Sequence, residues 1–161
     1  MHEHETVCVE PLCLELTWHA GLLIQASLRW SRPGDAGLLL TNRSAALAKW
    51  LQGYLAGRPE PCPQIPLDWG RLSAFSKQVL VTLQARVPAG QWLSYGELAK
   101  LCGCEGAARA VGRVMAANPW PLLVPCHRVL GSAGQMTGFR GGLDIKRFLL
   151  KIEETRFSPS D

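Results

Sequence analysis

The sequence has no run of about 18 apolar residues, the length a membrane-spanning helix needs, although 47% of its 161 residues are hydrophobic. A membrane location is not expected. The opening MHEHETVCVE is acidic and lacks the basic-then-apolar order of a secretory signal, so the expected location is the cytoplasm. Internal repeats and low-complexity tracts are missing, which sets aside solenoids and long disordered linkers. A paired C-x2-C and H-x3-H set is also missing. His2, His4, Cys8, Cys13 and His19 do not have the spacing of a zinc site, so neither a structural metal nor any other cofactor is expected. Six cysteines are present: Cys8, Cys13, Cys62, Cys102, Cys104 and Cys126. Without a secretory signal all six are expected to be reduced, the Cys102-Gly103-Cys104 pair included.

The length suits one domain or two small ones sharing a core. Charge is uneven along it. Residues 1–74 carry six Lys/Arg and seven Asp/Glu, a net of −1, whereas residues 75–161 carry eleven and six, a net of +5. A basic half beside a near-neutral one fits either a polyanion partner for the C-terminal part or a solvated surface.

Leu12, Leu14, Leu16 and Trp18 alternate with polar or small residues, the period of a half-buried strand. Ile24, Ala26, Leu28 and Trp30 repeat the pattern after a tight turn at His19-Ala20-Gly21. Gly37 to Thr41 can form a third strand. Ser44 can cap a helix whose Leu47, Leu51, Tyr54 and Leu55 share a face, with Gly57 as its stop. Pro59, Pro61, Pro63 and Pro66 mark a non-helical linker. The expected organisation is an N-terminal α/β domain over residues 1–70, a small antiparallel sheet plus one helix, followed by a mostly α domain over 71–161.

In the second part the period becomes helical. Phe75, Val79, Leu80, Leu83 and Val87 share one face, and Ala89-Gly90 ends that helix. Ser94-Tyr95-Gly96-Glu97 matches a capping box. The helix it opens stops at Gly103, and a second short helix runs from Ala107 to Ala117. Two short helices joined by a Gly-containing turn read as a helix-turn-helix. A last helix covers about Leu143 to Glu153, with Ile145, Phe148, Leu149 and Ile152 facing inward and Lys146 and Arg147 on the surface. The polar end Ser158-Pro159-Ser160-Asp161 is expected to fray.

Pro125-Cys126-His127-Arg128 lies inside the apolar run LLVPCHRVL. It puts a thiol beside an imidazole and a guanidinium, and a basic neighbour can lower a thiol into the range where thiolate exists at neutral pH. A Cys in an apolar run is otherwise a small buried hydrophobe. Neighbours on a regular strand point to opposite faces, so the two side chains meet only if the backbone departs from a strand.

These motifs, in this order, resemble the O6-alkylguanine-DNA alkyltransferases, also called methylated-DNA–protein-cysteine methyltransferases. The resemblance covers residues 75–153 through SYGELA (94–99), ARAVG (108–112), NPWPLLVPCHRV (118–129), GFRGG (138–142) and the closing GGLDIKRFLL helix. The first 70 residues match only in general design. The resemblance implies a ribonuclease-H-like N-terminal domain and a C-terminal helix-turn-helix domain, winged-helix-like. It also implies DNA repair by a methyltransferase that takes an alkyl group from O6-alkylguanine, and possibly O4-alkylthymine, onto a cysteine, once per molecule.

By match to the motif, Cys126 is the acceptor. His127 would take its proton through a bridging water, and Glu153 would orient His127, with Glu154 as the competing neighbour. Asn118 would brace the turn before the active-site strand, where Asn-Pro is otherwise a helix terminator. Tyr95 would donate to guanine N3, or else simply pack. Arg109 would enter the base stack as the nucleotide is flipped out, Ala110 would allow close approach in the minor groove, and Arg113 and Lys100 could contact phosphate. The carbonyls of Cys126 and Val129 would accept from the guanine amine. Met136 and the loop through Phe139, Arg140 and Gly141 would wall the pocket, and Arg128 would bind backbone carbonyls. The implied partner is double-stranded DNA carrying the lesion, met by a monomer.

Two other classes compete with this one. An alkyltransferase-like binding protein would lack the acceptor thiol, but position 126 is Cys. A thiol hydrolase built on Cys126, His127 and Glu153 would need an oxyanion hole and would turn over.

Overall fold

The computed structural model describes residues 1–38, 41–58 and 60–156. Leu39 and Leu40 of the expected third strand, Pro59 of the linker, and the expected frayed end all lie outside the described residues. The chain forms two compact units, Met1–Asp68 and Trp69–Asp161. Among the described residues no helix is long and apolar enough to cross a membrane.

The first unit is a three-stranded antiparallel sheet, order β1-β2-β3, with one helix. Strand β1 (His2–Val9) was not expected, because its Glu3, Glu5 and His residues hide the alternation. Strands β2 (Leu12–His19) and β3 (Leu22–Trp30) follow. Leu12, Leu14, Leu16 and Trp18 are buried as their period requires. Ala20 and Gly21, both at positive φ, make the β2–β3 turn, which suits a two-residue hairpin.

Strand β3 departs from its simple alternation. The register steps from Thr17↔Gln25 to Trp18↔Leu23, leaving Ile24 as the extra residue of a bulge. A bulge reverses the faces beyond it, so Leu23 is buried and Ile24 only half-buried. At the other end of β3, Trp30 is exposed. The expected Gly37–Thr41 strand is, in its described part, a single bridge between Thr6 and Leu38.

Helix α1 (Asn42–Leu55) is capped by Thr41, not by Ser44. Ser44 sits three residues on and closes the capping box from inside the helix. Glu5 explains the arrangement. Its buried carboxylate accepts from Thr41 N at 2.7 Å and from Ser44 Oγ at 2.7 Å. A carboxylate at a helix N-terminus satisfies orphan donors and opposes the helix dipole, so an acidic residue can occupy the buried face of β1. Leu47, Trp50, Leu51 and Tyr54 form the buried side of α1.

The expectation of six reduced cysteines fails in this unit. Cys8 and Cys13 are directly opposed across β1 and β2, with Cα atoms 4.1 Å apart, and are joined by a disulfide. Their juxtaposition depends on β1, which the sequence reading missed. Cys102, Cys104 and Cys126 carry free thiols.

In the second unit, helix α2 (Ala74–Arg86) is capped by Ser73 and buries Val79, Leu80 and Leu83. A two-residue strand, β4 (Leu93–Ser94), leads into helix α3 (Tyr95–Leu101). The capping box is formed: Glu97 N–H donates to Ser94 Oγ at 3.1 Å, and Ser94 N–H donates to the Glu97 carboxylate at 2.7 Å. Gly103, at positive φ, follows the Cys102 cap, and helix α4 (Ala108–Ala116) packs against α3 as a helix-turn-helix requires. Gln78 of α2 donates to the Cys102 carbonyl at 2.8 Å and ties the turn down. Strand β5 (Val129–Leu130) pairs in parallel with β4, and helix α5 (Leu143–Arg156) closes the chain.

Glu5→Ala should cost about 1–3 kcal/mol, the range for leaving buried donors without an acceptor. Chemical denaturation measures it, and a change below about 0.5 kcal/mol, the range of an ordinary surface substitution, would contradict the role given to Glu5.

Candidate active site

The site is built by the segment between α4 and β5. Asn118 staples it. Its side-chain amide donates to the Val124 carbonyl at 3.0 Å, and its side-chain oxygen accepts from Trp120 N–H at 3.0 Å. Inside that staple Leu122 adopts φ 73°, a left-handed conformation unfavourable for Leu, and the two hydrogen bonds hold it there. Trp120 is fully buried, its ring edge-on to Trp69 with centroids 4.9 Å apart. Gln84 of α2 donates to the Leu123 carbonyl at 3.2 Å.

After Pro125 the chain makes one 3-10 turn, Cys126–Arg128, before β5. That turn replaces the strand geometry that would have separated Cys126 and His127. Both are buried, Cys126 at 5% exposure and His127 at 0%. Glu153, at 1% exposure, reaches His127 Nε2 at 2.7 Å. The other ring nitrogen, Nδ1, is buried and has no hydrogen-bond partner among the described residues. Arg128 grips the same carboxylate twice, Nε at 3.0 Å and Nη2 at 2.9 Å, and its Nη1 donates to the Val87 carbonyl at 2.7 Å. Arg128 therefore binds a backbone carbonyl, as expected, and also Glu153, which was not expected.

Burial pushes the Glu153 carboxyl up, but His127 and Arg128 outweigh it and hold the group well below the usual carboxylate range. Glu153 is therefore ionised at neutral pH. Burial pushes His127 down, against the pull of Glu153, and leaves it a neutral base at neutral pH. For Cys126 the net direction is up. Burial dominates, opposed by a hydrogen bond from Asn118 and by the charges of Lys146 and Arg140. Burial thus outweighs the lowering that basic neighbours give this thiol. The buried thiol needs a base to take its proton as it reacts.

Lys146 is the residue the sequence reading misplaced. It is buried at 1% exposure, and its Nζ donates to the Val129 carbonyl at 2.9 Å and the Thr137 carbonyl at 3.3 Å. The signal was available: Lys146, Leu149 and Glu153 recur at i, i+3 and i+7, one face of α5, and all three are buried. Arg147 is exposed as expected, 3.5 Å from Asp144.

A cavity of about 460 Å³ is lined by Tyr95, Gly112, Ala116, Thr137, Gly138, Phe139 and Arg140. The Tyr95 ring lies where a side chain on Gly112 would touch it, and the Tyr95 hydroxyl is hydrogen-bonded to Thr137 Oγ1. Of the expected wall residues, Phe139 and Arg140 line the cavity, whereas Met136 and Gly141 do not. Val129 is buried, and its carbonyl is engaged by Lys146 but keeps a second lone pair. Arg140 Nη1 approaches the Asn118 carbonyl at 3.4 Å. On α4, Arg109 and Arg113 are exposed, one turn apart, with Ala110 half-buried between them.

Comparison with known proteins gives the class first: residues 74–155 match the model of the 6-O-methylguanine DNA methyltransferase, DNA binding domain. The chain belongs to this family of DNA-repair methyltransferases. A methylated-DNA–protein-cysteine methyltransferase of Mycolicibacterium paratuberculosis is 45% identical over 116 residues, 72% of this chain and 68% of its own length. Another, of Shigella flexneri, is 38% identical over 126 residues, 78% of this chain and 72% of its own. The solved Mycobacterium tuberculosis O6-methylguanine methyltransferase aligns with TM-score 0.77 and 33% identity, covering 100% of this chain and 97% of that one. Mycobacterium tuberculosis OGT in complex with DNA aligns with TM-score 0.74 and 32% identity, covering 96% and 94%. The mixed α/β fold, with its three-stranded antiparallel sheet and helices, matches these structures.

Two predictions follow from the charges. His127 is neutral and Glu153 ionised in the fold, so the unfolded chain takes up the extra protons as pH falls below about 6.5 and then below about 4.3. Both folded-state values lie below the unfolded ones, so stability is intact above these ranges and declines as pH falls through them. Denaturant midpoints measured from neutral to acid pH should decrease, and a flat or rising trend would contradict the assignment. Lys146→Met removes a cation that favours the thiolate, so the pH midpoint for alkylation of Cys126 by a small haloacetamide should move up. An unchanged midpoint would leave Lys146 purely structural.

Proposed function

We propose that the protein repairs O6-alkylguanine in double-stranded DNA by moving the alkyl group to Cys126. The observation that carries this reading is the buried His127–Glu153 pair at 2.7 Å beside the buried Cys126 thiol. The thiol proton passes to His127 Nδ1 through a bridging water. Glu153 stabilises the imidazolium that results, as a carboxylate does in other triads. The sulfur attacks the alkyl carbon: an S–C bond forms, the C–O bond to guanine breaks, and the electron pair leaves with the base. Tyr95 donates to guanine N3 as that charge develops, and the proton released by the thiol returns through His127 to complete neutral guanine. The thioether has no route back to a thiol, so each molecule acts once.

Reaching the atom requires the nucleotide to leave the stack. Arg109 of α4 fills the gap, Ala110 permits close approach in the minor groove, and Arg113 meets phosphate. The carbonyls of Cys126 and Val129 accept from the guanine amine, and Phe139 and Arg140 bound the base. Residues 71–161 carry this chemistry on a winged-helix-like unit, with 1–70 as a ribonuclease-H-like unit. The protein acts as a monomer in the cytoplasm, and no cofactor takes part.

Intact mass after incubation with a duplex containing O6-methylguanine tests the reading. One added methyl, capped at one per molecule and absent from Cys126→Ser, is expected. Tight binding with no mass gain would leave a lesion-binding protein instead, and multiple turnovers would favour a hydrolase.

A further inference from the structure

Tyr95 and Thr137 form a hydroxyl pair on the wall of the cavity. Both members are held from behind. Tyr95 opens α3 directly after the Ser94 cap, with its ring against Gly112. The backbone carbonyl of Thr137 receives Lys146 Nζ from α5 at 3.3 Å. The two oxygens are therefore fixed by α3 on one side and α5 on the other, and the loop that carries Thr137 is anchored at the residue that matters.

A phenol has one hydrogen and can also accept, and so can a threonine hydroxyl. If Tyr95 donated to Thr137, its hydrogen would be spent inside the protein and a base in the cavity would meet only its oxygen. If Thr137 donates, the phenolic hydrogen is left for the ligand. Donation into the phenol oxygen also polarises the remaining O–H bond and makes it a stronger donor. Only the second order is compatible with a tyrosine that donates to a departing base.

We propose that Thr137 is a positioning residue for Tyr95: its hydroxyl donates to the Tyr95 oxygen and aims the phenolic hydrogen at the ring nitrogen of the alkylated base. The inference rests on the alkyl-transfer reading above. Thr137 touches neither the alkyl carbon nor the sulfur and acts through Tyr95. Thr137→Val keeps the shape and removes the donor, whereas Thr137→Ser keeps the donor.

Single-turnover methyl transfer to Cys126 tests this, measured on a duplex with O6-methylguanine and on one with its 3-deaza analogue, which has no ring nitrogen at that position. Thr137→Val should slow transfer from O6-methylguanine by about tenfold, the effect of one hydrogen bond to a group developing charge. Duplex affinity should be unchanged, and Thr137→Ser should restore the rate. On the 3-deaza duplex, or in a Tyr95→Phe background, Thr137→Val should add no further loss, because the pair would have nothing to couple to. Thr137→Val at the wild-type rate, or with the same loss on both duplexes, would overturn the proposal and leave Thr137 a wall residue. Wild-type protein that methylates nothing at Cys126 would instead overturn the alkyl-transfer reading, and the proposal with it. If Thr137→Val proves unstable by thermal melt, wild type against Thr137→Ser on the two duplexes decides: equal rates are expected, and a large loss in Thr137→Ser on both would contradict the role.

Discussion

The site depends on one buried carboxylate. Glu153 of α5 faces His127 Nε2 on one side and two guanidinium nitrogens of Arg128 on the other. His127 and Arg128 together hold it well below the usual carboxylate range, against the pull of burial. Because an ionised carboxylate can only accept, His127 must present an N–H to it through Nε2, and the lone pair of a neutral ring is then confined to Nδ1. A fixed tautomer is what a buried base needs before it can take a proton. The same guanidinium reaches the Val87 carbonyl at the end of α2, so α2, the 3-10 turn and α5 meet at this one charge. Removing it would leave a buried imidazole and a half-buried guanidinium without compensation, the costly way to break a buried pair.

The remaining walls are positioned by small devices. The two-residue parallel pairing of β4 and β5 sets the start of α3 beside the segment that follows Cys126, which brings Tyr95 into the unit's active region. Asn118 closes the preceding loop with two hydrogen bonds and gives the Cys126 sulfur a third. Lys146 joins β5 to the Thr137 segment through two carbonyls. Asn118 and Lys146 thus do two things at once: they fix backbone and they favour negative charge on sulfur. Burial opposes that charge, and the balance leaves a thiol that ionises only with a base at hand.

Helix starts were the most legible part of the sequence, because capping is local chemistry. The Ser94–Glu97 box, the Gly103 stop and the ends of α4 stand where the sequence placed them. Where a cap depended on a distant partner the reading slipped. Thr41, expected as the end of a strand, takes the cap expected at Ser44, and Glu5, 36 residues from Thr41, supplies the acceptor. Strand β1 was hidden by the same carboxylate, and with β1 went the Cys8–Cys13 pairing. The β2–β3 bulge was invisible for a related reason: periodicity finds a strand but not the extra residue in it. In the site, Cys126, His127, Glu153 and Asn118 were legible through their motif. Lys146 was read by its charge, although its helical period with Leu149 and Glu153 pointed inward. Thr137 gave no signal, since a hydroxyl pair formed across 42 residues is a product of the fold alone.

The central claim, that Glu153 fixes the His127 tautomer so that Nδ1 can act as the base, is tested most directly by nitrogen NMR of histidine-labelled protein, with His127→Gln for assignment. At neutral pH the His127 ring should be neutral, with hydrogen on Nε2 and none on Nδ1. A neutral ring carrying its hydrogen on Nδ1 would contradict this, because the one lone pair would then sit on Nε2, against the carboxylate, and Nδ1 could not take the proton.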